Sequence, residues 1–237
     1  MAETVAVIHR VLASGSSFPS VVETGAGRLH VLKLSGAGPG KRALATEYLA
    51  LKIARHVGLA VPDALVIDLP RDFPWQTGTD EFHEAVQRSA GANLGVAFIA
   101  DARDLNAREL AEIPASFIQR LAAVDALLQN VDRTAANPNI MRDAAGAHWA
   151  IDFGACLLFD RLARGADAPN IGIPPNHFLA GVTGVSYSVR EIARSIDGPF
   201  LAAVIQTLPE PWLDDLGLSP SALQQRLATY LEALRAV

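Results

Sequence analysis

Short apolar stretches open the chain. Val5 to Ala13 and Ser20 to Glu23 flank the small-residue segment Ser14-Gly15-Ser16-Ser17-Phe18-Pro19, a pattern that predicts two strands and a connecting loop. After the turn Thr24 to Gly27, Arg28 to Leu34 alternates with period two and puts Leu29, Val31 and Lys33 on one face, expected to be the core-facing one. Ser35 to Gly40 breaks that strand. Ala43 to Val57 reads as a helix, with Leu44, Leu51 and Ala54 near helical spacing and Gly58 as its C-cap. Ala64 to Leu69 is a further strand, the polar, turn-rich Pro70 to Gly95 reads as a mobile insertion, and Val96 to Ala100 reads as the last strand of this half.

Beyond Asp101 to Asp104 the period becomes helical. A helical pattern begins at Ala107, and Pro114 separates it from a second helix over Ala115 to Gln129. Ala155 to Phe159 starts a strand or a helix, and a loop with Pro169, Pro174 and Pro175 follows. Further helices are expected at Val189 to Ile196, Phe200 to Leu208 and Ala222 to Ala236, the last opened by Ser219 and Pro220 as N-cap and first helical residue. Strands first and helices after define an α+β fold.

The end of the Ala115 to Gln129 helix carries the densest chemistry. Asn130-Val-Asp-Arg-Thr-Ala-Ala-Asn-Pro-Asn139 contains Asp132 and Asn137, and Asp152 follows in Ile-Asp-Phe-Gly after an apolar run. In the protein-kinase arrangement Asp-x-x-x-x-Asn, the Asp orients or takes the proton of the attacking hydroxyl, while the Asn and the Asp of Asp-Phe-Gly hold Mg²⁺. Hard oxygen ligands suit that ion. Asn-Pro-Asn alone reads equally as turn chemistry, and the usual His-Arg before the Asp is replaced by Asn130-Val131, unlike ordinary eukaryotic-type protein kinases.

Upstream, Lys33 on a strand followed by Glu47 on a helix has the order of the ion pair that positions nucleotide phosphates; a surface Glu47 pairing within its own helix is the alternative. The Ser14 to Pro19 segment is either an ordinary hairpin loop or an anion nest with Ser16 and Ser17 as hydroxyl donors. Gly36-Ala-Gly-Pro-Gly-Lys41 resembles a phosphate-binding P-loop, but Ser35 and Arg42 replace the Gly and Ser/Thr that motif needs. His177, alone in a loop, reads as solvated or as a substrate contact.

Composition narrows the partners. With 237 residues the chain is long enough for two lobes that share a cleft, and half of the residues are hydrophobic, so a folded core is expected. A net charge of −5 gives no basic footprint for nucleic acid, no apolar run is long enough to span a membrane, and the N-terminus lacks a signal-peptide pattern. The single cysteine, Cys156, leaves no intrachain disulfide and suits a reducing cytoplasm.

Taken together, Ser-Gly-Ser-Ser-Phe-Pro, His-Val-Leu-Lys-Leu, Ala-Thr-Glu-Tyr-Leu-Ala, Gly-Leu-Ala-Val-Pro, Asn-Val-Asp-Arg-Thr-Ala-Ala-Asn-Pro-Asn and Ile-Asp-Phe-Gly resemble the HipA-like kinase family, in its short single-domain bacterial branch. The resemblance covers about residues 10 to 160. It implies a bilobed protein-kinase-like fold, with a β-rich N-lobe over 1–100 and a mostly helical C-lobe over 101–237. It also implies ATP and Mg²⁺, and phosphoryl transfer to a hydroxyl of a protein or a small molecule. Asp132 would be the base, Asn137 and Asp152 the metal ligands, Lys33 the phosphate-binding lysine and Glu47 its partner. Backbone near Phe98 to Ala100 would meet adenine. The family's toxins are longer, with an extra N-terminal subdomain, so their protein substrate and DNA-binding antitoxin are not implied. A nucleotide-binding protein without turnover is the alternative from another class, and a P-loop NTPase is the third.

Overall fold

The computed structural model describes residues 3–12, 17–74, 78–106, 108–166 and 172–236. Its first five strands are β1 (Glu3–Val11), β2 (Ser20–Thr24), β3 (Leu29–Lys33), β4 (Ala64–Leu69) and β5 (Gly91–Ala97). The helices are α1 (Lys41–His56), α2 (Asp80–Arg88), α3 (Ala115–Leu128), α4 (Leu158–Ala163), α5 (Val185–Ser195), α6 (Gly198–Ile205), α7 (Glu210–Leu216) and α8 (Pro220–Ala236). Three short strands, β6 (Arg103–Asp104), β7 (Ile140–Arg142) and β8 (His148–Ala150), make a separate sheet.

Strands β1-β2-β3-β5-β4 close into a barrel in that order. Closure comes from a parallel pairing of β1 with β4, where Glu3 faces Ile67 and Thr4 faces Asp68; the other neighbours are antiparallel. Val5, Val22, Leu32, Leu34, Ile67 and Leu69 fill the inside. A Cβ on Gly95 would stand 2.2 Å from Ile67 Cδ1, so a larger residue there would have to push the buried Ile67 side chain aside.

The alternation in β3 has the opposite sense from the one expected. His30 and Leu32 share its buried face, whereas Leu29 is exposed and Lys33 is half-buried on the other side. Leu32 and Leu34 have more apolar surface to hide than Leu29 and Val31, and an ammonium left inside the barrel would have no compensating charge. Lys33 therefore leaves the barrel and meets α1.

The described part of Pro70 to Gly95 is also more regular than its polarity suggests. It contains α2, capped by the Thr79 hydroxyl, which accepts from the Phe82 N–H at 3.3 Å. Phe82, Ala85 and Val86, at helical spacing, are buried in the barrel core beside Phe73. Their apolar stripe is three residues wide between charged ones, too narrow to stand out in the sequence. Strand β5 then starts at Gly91, earlier than the expected Val96.

A second core joins α1 to the helices of the chain's latter half. Tyr48 of α1 packs edge-on against Trp212 of α7 and shares a 2.7 Å hydrogen bond with the Thr207 hydroxyl. Arg42, in the first turn of α1, donates to the Asp215 carbonyl at 2.7 Å and to Asp160 at 3.1 Å. Helix α7 lies between the expected helices, and Pro209 and Pro211 open it. Both stand at its N-terminus, where no helical N–H is needed. Among the described residues, no helix is long and apolar enough to cross a membrane.

Candidate active site

Lys33 ends β3 where α1 passes, and its Nζ donates to both oxygens of Glu47 at 2.7 Å and to Asp152 Oδ1 at 3.0 Å. Glu47 thus pairs across to the barrel rather than within its own helix. The arrangement is closed on one side and open on the other: the side chain of Glu47 is 4% exposed, that of Lys33 15% and that of Asp152 47%. Burial alone would lower the Lys33 pKa, but Glu47 and then Asp152 outweigh it and hold the ammonium above its ordinary range. Burial pushes the Glu47 carboxyl up, opposed by Lys33. At Asp152 burial also works against the charge, yet Lys33 wins and the carboxyl sits below its usual value. Two carboxylates thereby flank one ammonium, and the second of them, Asp152, faces solvent.

Asp152 has a left-handed backbone, φ 56°, a conformation uncommon outside glycine and concentrated at functional sites. Its neighbours fix it there. The Ile151 N–H donates to the Asn139 carbonyl at 2.9 Å, so the Asp-Phe-Gly segment lies directly against the Asp132 to Asn139 loop.

That loop is organised by a residue that motif reading passed over. Arg133 is fully buried. Its Nε donates to Asp125 Oδ2 at 2.7 Å, Nη1 to the carbonyls of Pro138 at 3.0 Å and Asn139 at 2.7 Å, and Nη2 to the Ile151 carbonyl at 3.1 Å. Its guanidinium also lies 4.7 Å from the centre of the Phe153 ring. One planar cation thus ties α3, the loop and the Asp-Phe-Gly segment together. The signal was present: Asp125 is the one charge within Leu121-Ala-Ala-Val-Asp-Ala-Leu-Leu128, and a carboxylate in so apolar a helix face needs a partner.

With Arg133 and Pro138 turned inward, Asp132 and Asn137 are left exposed. The Asp132 N–H donates to Asn130 Oδ1 at 3.2 Å, and Asn130 Nδ2 donates to Asp125 Oδ1 at 3.0 Å. Asn137 is held through its backbone, its N–H donating to the Thr134 hydroxyl at 3.1 Å and its carbonyl accepting from the Thr134 N–H at 3.1 Å. Among the described residues, no group of three His, Cys, Asp or Glu side chains gathers as for a metal; the Asn137 amide and the Asp152 carboxylate carry oxygens of the hard kind that Mg²⁺ takes.

Phe98 follows β5, half-buried, its N–H donating to the Leu29 carbonyl at 3.1 Å; Ala100 is exposed two residues on. The Ser17 carbonyl accepts from the Leu34 N–H at 3.3 Å, which sets Ser17 beside the end of β3, while Ser16 lies outside the described residues. Lys41 is exposed at the first position of α1, and the strand before it, β3, is antiparallel to both its neighbours, unlike the strand of a P-loop. His177 is neither solvated nor open to a substrate: it is 2% exposed, with Nε2 3.3 Å from Asp125 Oδ2.

This fold is kinase-like. The Helicobacter pylori proinflammatory kinase CtkA is similar over 100% of this chain and 97% of its own, with a TM-score of 0.60 at 13% identity. The model of the HipA-like kinase family matches residues 5–161, and the chain belongs to that family. The MAP kinase LmaMPK10 from Leishmania major aligns over 91% of this chain and 67% of its own, at 12% identity and a TM-score of 0.29, too low to define a shared fold. No curated protein sequence matches the chain.

Proposed function

We propose that the protein is an ATP- and Mg²⁺-dependent kinase that transfers the γ-phosphoryl group to a hydroxyl of a protein Ser/Thr or of a small molecule. One observation carries the reading: Lys33 Nζ is held between Glu47 and Asp152 at 2.7 and 3.0 Å, an ammonium oriented toward the place where a half-exposed carboxylate meets solvent. Lys33 binds the α- and β-phosphates and Glu47 fixes its position. Residues 1–100 supply most of the nucleotide site, with Ser16 and Ser17 near the phosphates and backbone at Phe98 and Ala100 near adenine; residues 101–237 supply the rest. Asn137 and Asp152 hold Mg²⁺, which when bound neutralises phosphate charge. Asp132 orients the acceptor hydroxyl and takes its proton as the acceptor oxygen bonds to the γ-phosphorus and the bond to the β–γ bridging oxygen breaks, leaving ADP. Such chemistry belongs in the reducing cytoplasm that one buried thiol suits.

The test is thermal unfolding with ATP, with and without Mg²⁺. At a nucleotide concentration 100 times Kd, binding adds roughly 2.7 kcal/mol. Asp152→Asn should erase the part of that gain that depends on Mg²⁺ and leave metal-free nucleotide binding nearly unchanged. Equal Mg²⁺ dependence in variant and wild type would remove Asp152 from the metal site, and no stabilisation of the wild type by MgATP would contradict the whole reading.

A further inference from the structure

His177 stands in the segment after the Asp-Phe-Gly motif, on the stretch 172–184 that leads into α5, and no role assigned so far uses it. Its Nδ1 accepts from the Leu179 N–H at 3.2 Å, which leaves the ring proton on Nε2. That Nε2 faces Asp125 Oδ2 at 3.3 Å without hydrogen-bond alignment, and among the described residues it has no other partner. Oδ2 is the same oxygen that binds Arg133 Nε at 2.7 Å. The next residue, Phe178, donates its N–H to the Arg133 carbonyl at 3.2 Å. Two consecutive residues of the segment thus grip the two ends of one structure, the Asp125 carboxylate and the backbone immediately after Asp132. Farther along, Gln119 of α3 donates to the Thr183 carbonyl and to the Ser188 hydroxyl, each at 3.1 Å, so the far end of the segment is pinned to the same helix. Pro175 and Asn176 form its exposed crest.

We infer that His177 is a positioning residue for phosphoryl transfer: through Asp125 it fixes the 172–184 segment against the Asp132 loop, and so fixes Asp132 relative to an incoming acceptor. The inference rests on the kinase reading for its effect on catalysis, but not for the contact itself. A misaligned contact at this distance is weak, so it contributes more to the placement of the loop than to the stability of the fold. Lys33, Glu47 and Asp152 make no contact with His177, and nucleotide binding is independent of it.

Two substitutions separate the imidazole's hydrogen bond from its contact with Asp125. His177→Asn keeps an acceptor for the Leu179 N–H but is too short to reach Asp125, whereas His177→Gln keeps a donor at the reach of Nε2. With His177→Asn, turnover at saturating MgATP should fall on the order of tenfold to a hundredfold, as a misplacement of about 1 Å does. Nucleotide Kd should hold within about twofold, a loss in kcat alone, and the Phe178 amide should exchange hydrogen faster. His177→Gln should restore both turnover and exchange protection. The inference is overturned if His177→Asn leaves turnover and Phe178 exchange unchanged, or if both variants lose turnover in step with melting temperature, including outright failure to fold, since that is a plain packing role. Should the wild type turn over no ATP, the kinase reading fails, and the exchange comparison of Phe178 still decides whether His177 holds the loop.

Discussion

Lys33 and Glu47 meet between β3 and α1 with 2.7 Å from the ammonium to each carboxylate oxygen, and α1 is kept at that distance by the opposite end of the chain. Tyr48, one residue after Glu47, rests on Trp212 and Thr207, and Arg42, five before it, is held by Asp215 and Asp160. The helix that carries Glu47 is therefore docked along two of its turns by contacts outside the ion pair.

Two lysines eight residues apart should respond oppositely to the same substitution. Lys33→Met removes the cation shared by Glu47 and Asp152, so ATP turnover should fall by orders of magnitude while the circular dichroism spectrum stays that of a folded protein, because Glu47 is released from a charge it holds only with a partner. Lys41→Met, at an exposed helix start, should change turnover little. A selective loss at Lys41 would instead match a P-loop.

Arg133→Met should destabilise the protein by about 3–5 kcal/mol in urea unfolding, the usual consequence of leaving a buried carboxylate without its partner. Asp125 would be that carboxylate, with both side chains 0% exposed in the intact pair. Replacing both residues, as Asp125→Leu with Arg133→Met, should recover part of the loss in stability but none of the activity, since the carbonyls of Pro138, Asn139 and Ile151 would still lack their common donor. Equal stability of Arg133→Met and wild type would show that the pair is not what holds the loop.

Part of this was legible in the sequence and part was not, for physical reasons that differ from residue to residue. Local chemistry read well: Ala64–Leu69 has the bounds expected of it, α8 starts at Pro220, and the strand-then-helix order of Lys33 and Glu47 does end in contact. What required a third dimension did not. The face on which Lys33 stands depends on which of two adjacent alternations is more apolar, a difference of a few side chains. Helix α2 hides because only Phe82, Ala85 and Val86 carry its buried stripe. Arg133 and His177 converge on Asp125 from positions 8 and 52 residues later in the chain, and no spacing rule links a loop histidine to a helix carboxylate.

Cys156 gives a pH dependence whose sign is fixed by burial. Burial, followed by the nearby Asp125 charge, pushes its thiol well above the ordinary 9.0. The unfolded chain loses that proton as pH rises past 9.0 while the folded chain keeps it, so the contribution to stability is complete below pH 9.0 and is lost above it. Urea unfolding of the wild type should therefore show a steeper decline above pH 9.0 than Cys156→Ala. At neutral pH, alkylation of Cys156 should be as slow as global unfolding. Rapid labelling of the native protein would contradict the burial on which this rests.

The measurement that bears most directly on the central claim is the transfer of label from γ-labelled ATP by the wild type and by Asp132→Asn, run beside nucleotide binding on the same samples. Asp132 acts on the acceptor hydroxyl and not on ATP, so the variant should bind MgATP with nearly wild-type affinity while transfer falls by on the order of a hundredfold or more. Transfer that persists at the wild-type rate in Asp132→Asn would make Asp132 a turn residue and contradict the account of this site as a kinase centre.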